Sequence, residues 1–187
     1  MRSNDFLPGT LALSRGRPSD YALLEAFHYR RGRPATWTDV WVVRFAPHCA
    51  AGNPLIQPDG RIVAIGVLSY PPAMSRPRQR HFQLGGMSYG QQIRFANANL
   101  RTISRVIVHP QFRALGLSKM LVRRLCDHCP TRYVEASAMM GRAHPFFERA
   151  GMTRVEPADQ HEPVYYVLDR WQAATAHGAS PSAQTPA

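Results

Sequence analysis

The sequence predicts an α/β protein in which a mixed central sheet is flanked by helices. Three observations point there. First, Arg101 to Arg124 reads as strand, turn and helix: β-branched residues recur at Thr102, Ile103, Val106, Ile107 and Val108. Pro110 ends that run, and beyond Gly116 the apolar residues Leu117, Leu121 and Leu125 fall at helical spacing. Second, Trp37 to Phe45 and Arg61 to Tyr70 are apolar segments separated by turn residues, Gly52, Pro54, Pro58 and Asp59-Gly60, which suggests a hairpin. Third, another strand pattern, Arg132 to Ser137, follows the helix.

In chain order, Phe6 to Leu13 is apolar enough for a first strand. Pro18-Ser19-Asp20 carries helix-start signals, and Tyr21, Leu24, Phe27 and His28 make one face of a helix running to Tyr29. Arg30-Arg31-Gly32-Arg33-Pro34 stops it. Residues 71–100 read as an insertion before the central strand: Pro71-Pro72, a basic run and Gly85-Gly86 do not suit a compact core, with a short helix expected at Gln91 to Asn99. Past the Arg132 strand come a helix around Phe146 and closing strands at Thr153 to Glu156 and Pro163 to Leu168. One domain is therefore expected over 1–172, with a disordered tail over 173–187, where Ala, Ser and Pro replace any apolar periodicity.

Charge is the most informative global property. Lys and Arg number 23 against 12 acids, a formal net charge of +11, and the pI is near 10.6. Lys119 is the single lysine. Arginine suits bidentate phosphate contacts, although a GC-rich genome also favours its codons. Neither a long apolar run nor a leader pattern occurs, so a cytoplasmic protein without membrane contact is expected. Cys126-Asp127-His128-Cys129 has CxxC spacing and His48-Cys49 offers a second half of a zinc site, but one CxxC is also common among ordinary reduced cysteines.

The turn before the helix predicts an anion site. A helix that starts at a glycine-containing loop presents backbone N–H groups without helical partners, and Arg113 adds a guanidinium. Arg113-Ala114-Leu115-Gly116-Leu117-Ser118, preceded by Val108-His109-Pro110, resembles the acyl-CoA-binding signature of the GNAT acyltransferases, with Ser118 where a Gly or Ala is usual. His144-Pro145-Phe146-Phe147-Glu148-Arg149-Ala150-Gly151-Met152 resembles the later helix of that family. The resemblance covers Val40 to about Trp171 and implies the GNAT fold, an acyl-CoA (acetyl-CoA) cofactor, and contacts to it from Val106, Val108, Arg113, Ala114, Gly116, Leu117 and Ser118. It also implies an acid that protonates the leaving thiolate. The family often places a Tyr where this chain has Phe147, so His144, Tyr165 or Tyr166 takes that role, or the reaction differs.

Glu135 is the expected base, a carboxylate in small and apolar company; the alternative is a glutamate paired with an arginine. His28 and Tyr29 form a second candidate pair. Phe27-His28-Tyr29-Arg30, with Ser104 to Val108 and the Arg142 to Gly151 region, resembles the phage Mom-type DNA-modifying branch of the superfamily. That likeness implies catalytic His28, Tyr29 and Glu135, an iron ion on the same three residues, and a carbamoylmethyl group placed on adenine N6 to protect phage or mobile-element DNA from restriction. DNA is then the expected partner, with phosphate contacts from Arg30, Arg31, Arg33, Arg76, Arg78 and Arg80 and base stacking on His81, Phe82, Tyr89 and Phe95. A homodimer is allowed. Two rivals stand beside this reading: an acetyl-CoA-dependent N-acetyltransferase of a protein or small amine, and a non-catalytic nucleic-acid-binding protein on the same fold.

Overall fold

The computed structural model describes residues 11–28, 32–45 and 61–176. Its strands are β1 (Leu11–Arg15), β2 (Asp39–Phe45), β3 (Ile62–Ser69), β4 (Leu100–Val108), β5 (Tyr133–Ala138), β6 (Thr153–Val155) and β7 (Val164–Asp169), and its helices are α1 (Arg76–His81), α2 (Tyr89–Asn99), α3 (Leu117–His128), α4 (Phe146–Arg149) and α5 (Arg170–Ala176). The strands form one mixed seven-stranded sheet in the hydrogen-bonded order β1-β2-β3-β4-β5-β7-β6. The chain divides into two compact units, one of residues 1–70 and 103–125 and the other of 71–102 and 126–187.

In the first unit β1, β2 and β3 form an antiparallel meander. Every residue of β3 is buried, as expected of a strand covered on both faces. On one face Tyr21, Leu24, Val40, Val42, Ile65, Val67 and Ile107 form an apolar cluster with Trp37 against it. On the other, α3 comes so close at Gly66 that a Cβ there would lie 2.9 Å from Leu125 Cδ1 and 3.4 Å from Leu121 Cβ. A side chain at 66 would force the Leu125 side chain to move. The helix expected from Pro18 is instead two 3₁₀ turns, Pro18–Leu23 and Glu25–Phe27. Its bonds run i to i+3, Leu24 to Tyr21, Phe27 to Leu24 and His28 to Glu25.

In the second unit β5 pairs antiparallel with β7, β7 with β6, and β5 runs parallel to the first residues of β4, with Leu100, Arg101 and Thr102 opposite Tyr133, Val134 and Glu135. β4 continues past that last pair to Val108. Residues 71–100 carry two capped helices. Ser75 accepts from the Arg78 N–H at the start of α1, and Ser88 and Gln91 form a reciprocal capping box on α2. Leu84 and Ala96 from this stretch are buried, so it contributes to a core, against expectation. Phe82 packs on Phe95 at 5.4 Å and on Tyr133 at 4.9 Å between centroids. Phe6 to Thr10, the Asp59-Gly60 turn and residues 177–187 of the expected tail lie outside the described residues; residues 170–176 before them are helical.

Candidate coenzyme site and the residues around it

Strand β4 ends at Val108, and the chain turns there on His109. A 3₁₀ turn, Pro110–Phe112, follows. Ala114 then takes φ 66° and Gly116 φ 76°. A left-handed backbone at glycine costs little, but at alanine it carries strain, and such strain concentrates where a backbone serves a ligand. Nothing lies within 4 Å of the position a Cβ would take on Gly116, so space is open over the backbone at the entrance to α3. The first bond of that helix runs from Met120 N–H to the Gly116 carbonyl. The N–H groups of Leu117, Ser118 and Lys119 accordingly find no acceptor one turn back in the helix. Arg113, Ala114 and Gly116 are exposed, whereas the Leu117 side chain is buried in the core and offers only its backbone. Val106 and Val108 are half-buried and alternate with buried Arg105 and Ile107. Open space, a row of amide donors and an exposed guanidinium fit a pyrophosphate.

In the second unit the carboxylate of Glu135 is 2% exposed and is saturated with donors. Arg78 reaches it as a fork, Nε to Oε2 at 2.9 Å and Nη2 to Oε1 at 2.7 Å. Thr102 Oγ1 donates to Oε1 at 2.5 Å and the Tyr165 hydroxyl to Oε2 at 2.8 Å. Burial alone would lower the Arg78 pKa, but its hydrogen bonds to Glu135 prevail and raise it; burial, then the Glu135 charge, pushes the Tyr165 phenol up. A carboxylate with every oxygen engaged is poorly suited to take a proton from an amine or to bind iron. The expectation of Glu135 as a free base is therefore corrected toward the paired glutamate.

Arg78 is corrected with it. It is 2% exposed, and its guanidinium is taken up by Glu135 and the Pro72 carbonyl. Arg80 is ion-paired to Glu162 at 2.5 Å and Arg33 to Glu25 at 3.6 Å, while Arg76 is exposed. His81 and Phe82 meet edge-on at 4.7 Å, and of the rings expected to take a base His81 and Tyr89 are exposed. His28 is half-buried after the second 3₁₀ turn. Tyr29, Arg30 and Arg31 lie outside the described residues, as do His48 and Cys49. Among the described residues no group of three His, Cys, Asp or Glu side chains is placed to hold a metal, and Cys126 and Cys129 are buried free thiols. Burial pushes the Cys126 thiol up, which disfavours the thiolate that a zinc site would need.

Phe147 is buried against Phe146 at 4.3 Å and Tyr166 at 5.0 Å, confirming an apolar side chain where the family often has a phenol. Of the groups named in its place, Tyr165 donates to Glu135 and Tyr166 donates to the Gly141 carbonyl at 3.2 Å. His144, just before α4, is exposed.

Residues 23–152 match the model of the Acetyltransferase (GNAT) family. The chain belongs to the GNAT family. Solved structures agree at the level of the fold. Arabidopsis thaliana NAA60 in complex with acetyl-CoA aligns with TM-score 0.55 at 15% identity, over 84% of this chain and 96% of that one. The GNAT N-acetyltransferase YhbS of Escherichia coli in complex with CoA aligns with TM-score 0.53 at 11% identity, over 96% and 91%. A KacTA–DNA complex aligns with TM-score 0.51 at 11% identity, over 90% and 98%. No curated protein matches the sequence. None of these matches extends the narrower likeness to Mom-type proteins, so this GNAT protein is an N-acyltransferase-family chain whose acceptor is left to the site itself.

Proposed function

We propose that this GNAT protein transfers an acyl group from acyl-CoA to an amine. One observation carries the reading: the left-handed backbone at Ala114 and Gly116, with open space above Gly116 at the entrance to α3. A bound acyl-CoA would supply the activated thioester. The N–H groups of residues 117–119 and the Arg113 guanidinium would hold its pyrophosphate, and Val106 and Val108 would border its pantetheine. Of the side chains named for the proton that the leaving sulfur needs, His144 is the one whose ring reaches solvent, so it is the assigned acid, while Glu135 fixes Arg78, Thr102 and Tyr165 rather than exchanging protons.

Two variants test this. Gly116→Val puts a branched side chain at a left-handed φ and into the open space. It should weaken acetyl-CoA binding by more than about tenfold while the far-ultraviolet circular dichroism stays unchanged, and unchanged affinity by titration calorimetry sinks the loop assignment. His144→Ala should lower kcat by about 10²-fold with little change in KM for acetyl-CoA; retention of full kcat moves the acid elsewhere.

A second reading, transfer to adenine N6 of DNA in the manner of Mom, is favoured by the net charge of +11 and by the exposure of Arg33 and Arg76. It predicts a deoxyadenosine adduct, lost in a His28→Ala, Tyr29→Phe variant, in nucleosides from expressing cells. Unmodified nucleosides with expression verified leave the amine acceptor as the sole enzymatic reading.

A further inference from the structure

The corner where β4 gives way to the coenzyme loop holds more hydrogen-bond donors than acceptors. His109 is 8% exposed. Its backbone N–H is tied to the Val63 carbonyl at 2.8 Å, and its ring sits edge-on between Phe27 at 4.6 Å and Phe112 at 5.8 Å. Nη2 of Arg61, from the residue preceding β3, lies 3.2 Å from Nε2 of that ring, and the N–H of Gln111 lies 3.4 Å from Nδ1. Guanidinium and amide only donate. A neutral imidazole has one acceptor nitrogen and an imidazolium has none. The ring therefore satisfies at most one of the two, and the other meets an N–H.

Among the described residues of the first unit no carboxylate balances this corner. The acids of the first unit among the described residues are Asp20, Glu25 and Asp39, and each is ion-paired elsewhere, to Arg44, Arg33 and Arg15. Arg61 and Arg113 are both exposed. Burial, then the charges of these two guanidiniums, keeps the ring's pKa low, so it stays neutral and accepts. Two cations and a surplus amide thus converge beside the loop with no counter-charge among the described residues of this unit, which is the arrangement an anion completes.

We propose that Arg61, held in place by His109, binds a phosphate of acyl-CoA beside the loop backbone. This rests on the acyl-CoA reading above and adds a strand-side cation that lies outside the loop signature. His109 is a positioning residue: it touches Arg61, and Arg61 touches the coenzyme.

The test is calorimetric titration of wild type and Arg61→Gln with acetyl-CoA, with the analogue lacking the 3′-phosphate, and with acetyl-pantetheine, which has no phosphate. Arg61→Gln should weaken acetyl-CoA binding about tenfold and leave acetyl-pantetheine binding unchanged. If the loss persists with the 3′-dephospho analogue, Arg61 holds the pyrophosphate; if it disappears, Arg61 holds the 3′-phosphate, and either result supports the proposal. Equal affinity of the two proteins for acetyl-CoA overturns it. Wild type that binds no acetyl-CoA removes the acyl-CoA reading itself, an outcome distinct from the previous one. His109→Phe, which keeps the ring's bulk without its nitrogens, should reduce the preference for acetyl-CoA over acetyl-pantetheine, and His109→Gln, which keeps an acceptor, should restore part of it. A purely structural histidine would shift the melting temperature and leave that preference alone.

Discussion

Glu135 gathers an arginine fork, a threonine and a tyrosine onto one buried carboxylate. Removing the acid strands a buried guanidinium, and breaking such a pair by deleting one partner typically costs about 3–5 kcal/mol. Glu135→Ala should therefore destabilise the protein by about that amount in urea unfolding. Arg78→Met combined with Glu135→Leu should recover much of the loss, because it removes both charges and keeps apolar volume; a double variant as unstable as Glu135→Ala would mean that Thr102 and Tyr165 carry the cost. His109 makes a pH prediction. Its folded pKa lies below the ordinary 6.5, so the unfolded chain takes up its proton first as pH falls. The stability it contributes is present above pH 6.5 and is lost as the pH drops through the folded value. His109→Gln should flatten that part of the stability curve relative to wild type, and parallel curves would place the titration on other groups.

At the scale of elements, α2 stands on the reciprocal cap between Ser88 and Gln91. Ser88→Ala should cost about 1 kcal/mol, measured as a shift in the urea midpoint at constant slope. That cap was legible as Ser-x-x-Gln, yet the prolines and Gly85-Gly86 around it read more loudly, so residues 71–100 were expected to stand apart from a core. The strands were far more legible, since alternation or continuous burial leaves a period in the sequence: Thr102 to Val108, Arg132 to Ser137 and Pro163 to Leu168 fall within a residue or two of β4, β5 and β7. The 3₁₀ character of Pro18–Phe27 leaves no such mark, because Tyr21, Leu24 and Phe27 suit a three-residue period as well as a 3.6-residue one. The turn from β4 into α3 was readable from Arg113, Gly116 and Pro110. The burial of Arg78 was not, for it depends on a carboxylate 57 residues away, and Arg61 was missed because nothing local ties it to His109.

At the scale of the whole molecule the excess of positive charge persists after local pairing. Arg80, Arg33, Arg132 and Arg154 have acidic partners, yet 23 basic residues against 12 acids leave a net +11. A protein so charged should bind polyanions with affinity that falls steeply with salt, whatever its acceptor. Fluorescence anisotropy with duplexes of unrelated sequence should show equal affinities at 50 mM salt that fall together by 200 mM; a preference for one sequence would require base contacts that charge alone does not supply. That distinction matters because polyanion binding by itself does not make DNA the acceptor.

The buried thiols bear on how turnover would be followed. Acyl transfer from acyl-CoA releases a free thiol, which a disulfide dye reports by colour as the thiolate attacks it. The chain has three cysteines, and two of them, Cys126 and Cys129, are 3% and 2% exposed, with the Cys126 proton held more tightly than usual. In the native protein at most one thiol per chain, Cys49, should colour the dye promptly, and denaturant should release the other two. The blank in a continuous assay is then small and constant, and a native chain that titrates two or three fast thiols would show that the end of α3 opens to solvent.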